Sequence, residues 1–203
     1  MNTAAPTTLS DIFSIPGLRL STRYRDAVLV IGGALFTALA AQIVIPLGFT
    51  PVPLTGQTFA VLAVGSVLGA KKAMASQSLY WLLGMIGLPF YAGGAGGWDT
   101  ATGATAGYFV GFIVASGIVG WCADRRQDRA LLGALGAAAL GSIAIYVFGA
   151  LWLAHSLDIS VVLGEKNAVQ LGVLPFLAGD LVKMLLAGLI GPCGWWAYYA
   201  RPK

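Results

Sequence analysis

The chain has 203 residues, of which 58% are apolar and only 10% charged. A soluble globular domain carries about 25% charged residues, so this composition excludes an ordinary soluble fold and fits an all-α integral membrane protein with room for about six spans of ~20 residues. The net charge of +4 comes from small basic clusters rather than a stripe, which argues against a nucleic-acid partner and leaves the lipid bilayer as the surroundings.

Residues 1–24 are polar and contain Pro6, Pro16 and Gly17. No apolar core with a small-residue cleavage site follows a basic start, so they do not read as a signal peptide. They are expected to form a cytoplasmic tail before a single membrane domain, 25–203. The stretch "LSDIFSIPGLRL" is expected either to lie on the membrane surface or to belong to a disordered tail.

Apolar run length and its breaks then predict six helical spans: Ala27–Pro46, Thr55–Gly69, Ala73–Leu88, Thr102–Cys122, Ala130–Ala154 and Leu174–Tyr199. Helices are required because a lipid-exposed segment must satisfy its own backbone hydrogen bonds. Arg19, Arg23, Arg25, Lys71, Lys72, Arg125, Arg126, Arg129, Arg201 and Lys203 all fall on one side of this arrangement, leaving only Lys166 and Lys183 elsewhere. The positive-inside rule therefore predicts a multi-pass protein of the inner (cell) membrane with both termini cytoplasmic. Trp121, Trp195, Trp196, Tyr198 and Tyr199 fit an aromatic belt on the cytoplasmic side.

Three loops face outward on this topology: 46–56, 89–101 and 155–173. "PLGFTPVPLT" has three prolines and no charge; "PFYAGGAGGWD" has one charge, Asp99. Irregular backbone is tolerated at membrane depth where protein buries it or it lines a cavity. Both loops are expected to fold over an outward-facing pocket, the alternative being tight connectors between short helices.

Span six, "LPFLAGDLVKMLLAGLIG", places Asp180 and Lys183 inside an apolar run. Asp180 lies about 9 Å inward of Pro175, and Lys183 shares its helix face one turn deeper. A charge at mid-membrane costs about 2.5–3.5 kcal/mol on insertion scales. Two such residues either neutralise each other in packing or bind a polar ligand, with Lys183 donating to an anion or carbonyl and Asp180 accepting from N–H groups. Thr55, Gln57 and Thr58 at the start of span two, and Tyr108 in span four, add polar groups nearby. Phe90, Tyr91 and Trp98 supply aromatic walls, and Gly93 and Gly94 let backbone approach a ligand and let the loop move.

Small-xxx-small spacing recurs at Ala34 and Ala38, at Gly65 and Gly69, and at Gly103, Gly107 and Gly111. It serves close packing within the bundle, or a face for a second membrane protein. "GSVLGAKK" misses the phosphate-cradling pattern, so the chain is not expected to use ATP itself. Cys122, Cys193 and His155 offer no metal-ligand spacing and no nucleophile–base set. No cofactor, no metal and no enzyme activity are expected.

"TPVPLTGQTFAVLAVGSVLGAKK", "LLGMIGLPFYAGGAGGW", "TAGYFVGF" and "LPFLAGDLVKMLLAGLI" resemble, in order and spacing, the BioY family, the biotin-specific substrate-capture (S) components of energy-coupling-factor (ECF) transporters. The similarity runs from about Ala27 to Leu189. It implies a six-helix ECF S-component bundle that binds biotin from outside, with the first outer loop and the glycine loop capping the vitamin. It assigns ligand contact to Asp180 and Lys183, and docking of the transmembrane coupling (T) protein to Ala34 and Ala38. Energy would come from ATPase subunits, with the S component tipping in the bilayer. Gly56 before Gln57, and Ala104 and Ala106 in "GATAGYFVGF", depart from the family pattern. A different vitamin on the same scaffold, a membrane scaffold protein and an intramembrane enzyme remain as alternatives, and a homo-oligomer stays open.

Overall fold

The structure, a computed structural model, describes residues 6–12, 21–164 and 166–200. Pro16, Gly17, Arg19, Arg201 and Lys203 lie outside the described residues. The elements in chain order are α1 (Thr22–Ala41), β1 (Val44–Ile45), β2 (Leu54–Thr55), α2 (Gln57–Leu68), α3 (Ala70–Met85), α4 (Trp98–Thr102), α5 (Ala106–Asp124), α6 (Leu131–Leu157), α7 (Ala168–Gly172) and α8 (Leu177–Tyr199). Six of these helices have twelve residues or more and form the bundle. Helices α5 and α6, and the run Ala168–Tyr199 that contains α8, are long and apolar enough to cross a membrane. Helix α2 is apolar but has only 12 residues, about 18 Å at 1.5 Å per residue, well short of a ~30 Å hydrocarbon core.

The predicted spans match the helices in order, but their ends move. α1 starts at Thr22 instead of Ala27 and stops at Ala41 instead of Pro46. Its first turns carry Arg23, Arg25 and Asp26, charges that favour water over an apolar interior. Beyond α1, Val44 and Ile45, expected in span one, instead form a two-residue strand of an antiparallel ribbon, Val44 opposite Thr55 and Ile45 opposite Leu54. α2 and α3 meet at Gly69, whose φ of +77° serves both helix ends and suits glycine.

Helix α5 sits at the centre, packed against α2, α3 and α6, while α8 covers α2 and α6. Close approach depends on missing side chains. A Cβ on Gly111 would stand 2.9 Å from the Ile145 Cα, and one on Gly65 would stand 2.9 Å from the Ser116 carbonyl oxygen. In lipid, such backbone proximity and interhelical hydrogen bonds replace the hydrophobic drive between helices.

Helix α1 joins the bundle through α3 and α2. Gln77 Nε2 donates to Thr37 Oγ1 at 3.1 Å, and that hydroxyl donates to the Gly33 carbonyl at 3.1 Å. Ala34 and Ala38 are 0% and 6% exposed. The pair packs inside the chain's own core, one of the two readings of its spacing, while α1 presents Val28, Ile31, Leu35, Phe36 and Leu39 outward.

Lys71, Lys72, Arg125, Arg126 and Arg129 gather at one end of the bundle, the basic end, with the start of α1. The connecting ribbon, the glycine loop, α4 and α7 gather at the other, the loop end. At the basic end the tail reading changes. Leu9–Asp11 form a 3-10 turn in which Leu9 and Ser10 are buried, so the described part of the tail is docked on the bundle. Trp195 also departs from the aromatic-belt reading. It is buried, donates Nε1–H to Asp128 at 2.8 Å, and lies beneath the Arg129 guanidinium at 4.0 Å.

Candidate ligand-binding site

A cavity of about 230 Å³ opens at the loop end, between α2, α5, α6 and α8. Its polar floor is built by the first turns of α8. Asp180 is buried at 8% exposure, and Lys183, three residues on, places Nζ 2.7 Å from Asp180 Oδ1. Thr58, on the first turn of α2, donates to the same oxygen at 3.0 Å. Tyr146, from the middle of α6, donates to Asp180 Oδ2 at 2.7 Å. Lys183 also donates to the Thr55 carbonyl of β2 at 2.6 Å. Thr55 Oγ1 donates to Gln57 Oε1 at 2.8 Å, and Gln57 Nε2 donates to the Tyr80 hydroxyl.

Counting donors and acceptors shows what this floor has left to offer. A carboxylate oxygen can accept about two hydrogen bonds and an ammonium can give three. Asp180 Oδ1 is filled by Thr58 and Lys183, whereas Oδ2 has taken only Tyr146. Lys183 has used two of its three N–H groups. One acceptor and one donor therefore remain, on two neighbouring residues that line the cavity.

The walls are apolar and aromatic, including Tyr91, Tyr108, Phe109, Phe112, Ile145 and Phe176. Tyr91, at the start of the glycine loop, is 1% exposed. It fits because residue 84 is glycine; a Cβ there would overlap the Tyr91 ring. Its hydroxyl donates to the Trp81 carbonyl at 2.6 Å, and its ring centroid lies 4.6 Å from that of Phe109. Gln42, just past α1, donates to the Tyr91 carbonyl at 3.3 Å. Tyr108 donates its hydroxyl to the Gly172 carbonyl at 2.7 Å. Pro51, Val52 and Pro53 form the roof, tied down where Thr50 Oγ1 donates to the Leu171 carbonyl at 2.7 Å.

Of the residues expected at a site, Asp180, Lys183, Gln57, Thr58, Tyr91 and Tyr108 converge on this cavity. Four do not line it. Phe90 instead stacks on Tyr80, centroids 6.5 Å apart. Gly93 and Gly94 are exposed, at φ +66° and +77°, on the outer surface of the loop. Trp98 opens α4 and is 65% exposed, because the helix starting there turns its first side chain outward. Sequence reasoning missed Tyr146 and the Thr55 carbonyl. Tyr146 carried one legible signal, a hydroxyl in the middle of an apolar run; a backbone carbonyl carries none.

The model of the family described as BioY matches residues 10–200. The chain belongs to the BioY family. Among its relatives, the "Biotin transporter BioY" of Thermotoga maritima is 38% identical over 165 residues, 79% of this chain and 92% of that protein. The "Biotin transporter BioY" of Rhizobium etli is 34% identical over 175 residues, 82% of this chain and 91% of that one. Among solved structures, the S-component for biotin from an ECF-type ABC transporter superposes with a TM-score of 0.74 at 23% identity, covering 86% of this chain and 93% of that one. This BioY-family chain therefore has the S-component fold, and its cavity lies at the end of the bundle where the described loops gather.

Proposed function

We propose that this chain is the biotin-capture subunit of a vitamin uptake transporter. The observation that carries the reading is the Asp180–Lys183 floor, with one acceptor and one donor left over beneath aromatic walls. Biotin's ureido group presents N–H donors and a carbonyl within one small ring, and its side chain ends in a carboxylate. A ureido N–H suits Asp180 Oδ2, and the free Lys183 N–H suits either the carbonyl or the carboxylate. The apolar walls suit the rest of the molecule. The relatives named as biotin transporters support the same ligand.

All six long helices cross the inner membrane on this reading, the shorter ones with the loop-end segments completing their depth. The basic end faces the cytoplasm by the positive-inside rule, so biotin enters from outside. A transmembrane coupling protein and ATPase subunits supply the energy, since the sequence carries no phosphate cradle. The chain itself is not an enzyme and needs no cofactor.

The test is equilibrium binding of labelled biotin to detergent-purified protein, beside Asp180→Asn and Lys183→Ala. A hydrogen bond to a charged group contributes about 1.5–3 kcal/mol, so each change weakens binding by about 10- to 150-fold. Unchanged binding in both variants refutes the site. Thermal stabilisation by another vitamin, with none by biotin, moves the reading to a different ligand.

A further inference from the structure

The basic end holds a feature that vitamin capture leaves unused. Residues Pro6–Ile12 are seated in a notch formed by four separate parts of the bundle. Leu9 lies over Gly194 of α8, where a Cβ would stand 2.7 Å from its side chain. Thr8 lies over Gly69 at the α2–α3 turn, where a Cβ would stand 3.0 Å from Thr8 Cγ2. Ser10, at 0% exposure, accepts from Lys72 Nζ at 2.7 Å. Asp11 lies 3.7 Å from Arg25 and 4.0 Å from Lys72, and it accepts from the Thr7 and Thr8 backbone N–H groups. Arg129 donates to the Pro6 carbonyl at 3.0 Å.

The occupant is held by one aliphatic side chain, by the buried hydroxyls of Thr8 and Ser10, and by partly exposed ionic contacts, of which water and salt screen the last. Leu9 is its single apolar anchor among the buried residues, and attachment to the chain keeps its local concentration high. The notch is complementary to one chemistry: a leucine-sized slot beside two cations, Arg25 and Lys72, that share Asp26 and accept a second carboxylate. We propose that the basic end carries a segment-binding notch closed in cis by Pro6–Ile12, and that a membrane partner presenting an aliphatic side chain beside a carboxylate takes the notch once that segment leaves. The docked segment is then an autoinhibitory plug on the face of the bundle opposite the cavity. Its consequence for transport rests on the proposed vitamin-capture role; its docking does not.

A reversible lock tests both halves. Leu9→Cys and Gly194→Cys are introduced into the full chain with Cys122→Ala and Cys193→Ala. Mild oxidation of membranes is expected to join the pair intramolecularly. The locked chain should bind biotin like the reduced chain yet lose at least tenfold in uptake, in cells that depend on the chain for biotin, with reductant restoring it. Absence of the cross-link in a chain that still melts cooperatively overturns the docking. A formed cross-link with undiminished uptake overturns the plug. Ser10→Cys gives a second measure of docking: maleimide labelling should be slow in the otherwise unchanged segment and at least tenfold faster when Lys72→Glu is added, and equal rates refute the notch. Biotin binding by the unsubstituted chain tests the vitamin reading separately.

Discussion

Replacing Lys183 with methionine keeps most of the side-chain volume and removes the charge. Asp180, 8% exposed, then retains Thr58 and Tyr146 as donors but loses its cation, and the Thr55 carbonyl loses its partner. Breaking a buried ion pair from one side costs about 3–5 kcal/mol. The pair borders a cavity rather than a dry helix seam, so water can reach the orphaned carboxylate and the lower end, about 3 kcal/mol, applies. At roughly 2–4 °C per kcal/mol for a chain of this size, the melting temperature in detergent should fall by about 6–12 °C. Asp180→Asn combined with Lys183→Met removes both charges, so most of the loss should return while biotin binding stays lost. Differential scanning fluorimetry, with and without biotin, reads both quantities. A single variant melting within ~2 °C of the parent, or a double variant no more stable than the single one, refutes the claim that the two charges are desolvated together.

Gly84→Val places methyl groups where the Tyr91 ring sits. It should displace that wall of the cavity and weaken biotin binding by about tenfold or more, at a cost of about 1–3 kcal/mol for overpacking, read by calorimetric titration. Thr50→Val removes the single 2.7 Å tie between the roof loop and Leu171; losing about 1 kcal/mol should speed biotin release by about fivefold in stopped-flow displacement. The Asp11 carboxyl sits below its ordinary value: burial would raise it, but hydrogen bonds from Thr8 and Thr7 and the Lys72 charge outweigh burial. Because the bonds that lower it close the Thr7–Asp11 turn, that turn is fully favoured above the ordinary carboxylate range and weakens as pH falls through the depressed value. Amide exchange of residues 8–12, corrected for intrinsic rates, should rise in acid, and Asp11→Asn should flatten that rise.

The parts legible in the sequence share one property, a conflict with the surrounding composition. Asp180 and Lys183 stand out because charges are costly in an apolar run, and both reach the cavity floor. The long apolar runs of α5, α6 and α8 announced themselves by length. The missed or misplaced parts lack such a conflict. Ala34 and Ala38 say that something approaches closely, but small residues do not say whether the neighbour is the chain's own α3 or another protein. Trp98 is an aromatic beside a glycine loop, and only the start of α4 at that residue decides that it points outward. The β1–β2 ribbon is two residues long on each strand, too short to show a period of two. Nothing in the sequence singles out Leu9 among the apolar residues of the tail; its slot exists only because Gly194, far along the chain, lacks a side chain.

Lys183 has a second attachment whose effect reaches beyond affinity. The ammonium that keeps one N–H unused is also bonded to the Thr55 carbonyl, at the root of the loop that roofs the cavity. A molecule bonded to this ammonium would also restrain the backbone at the base of that loop. Analogues that fit the floor better should therefore dwell disproportionately longer, so that residence time, more than equilibrium occupancy, ranks them.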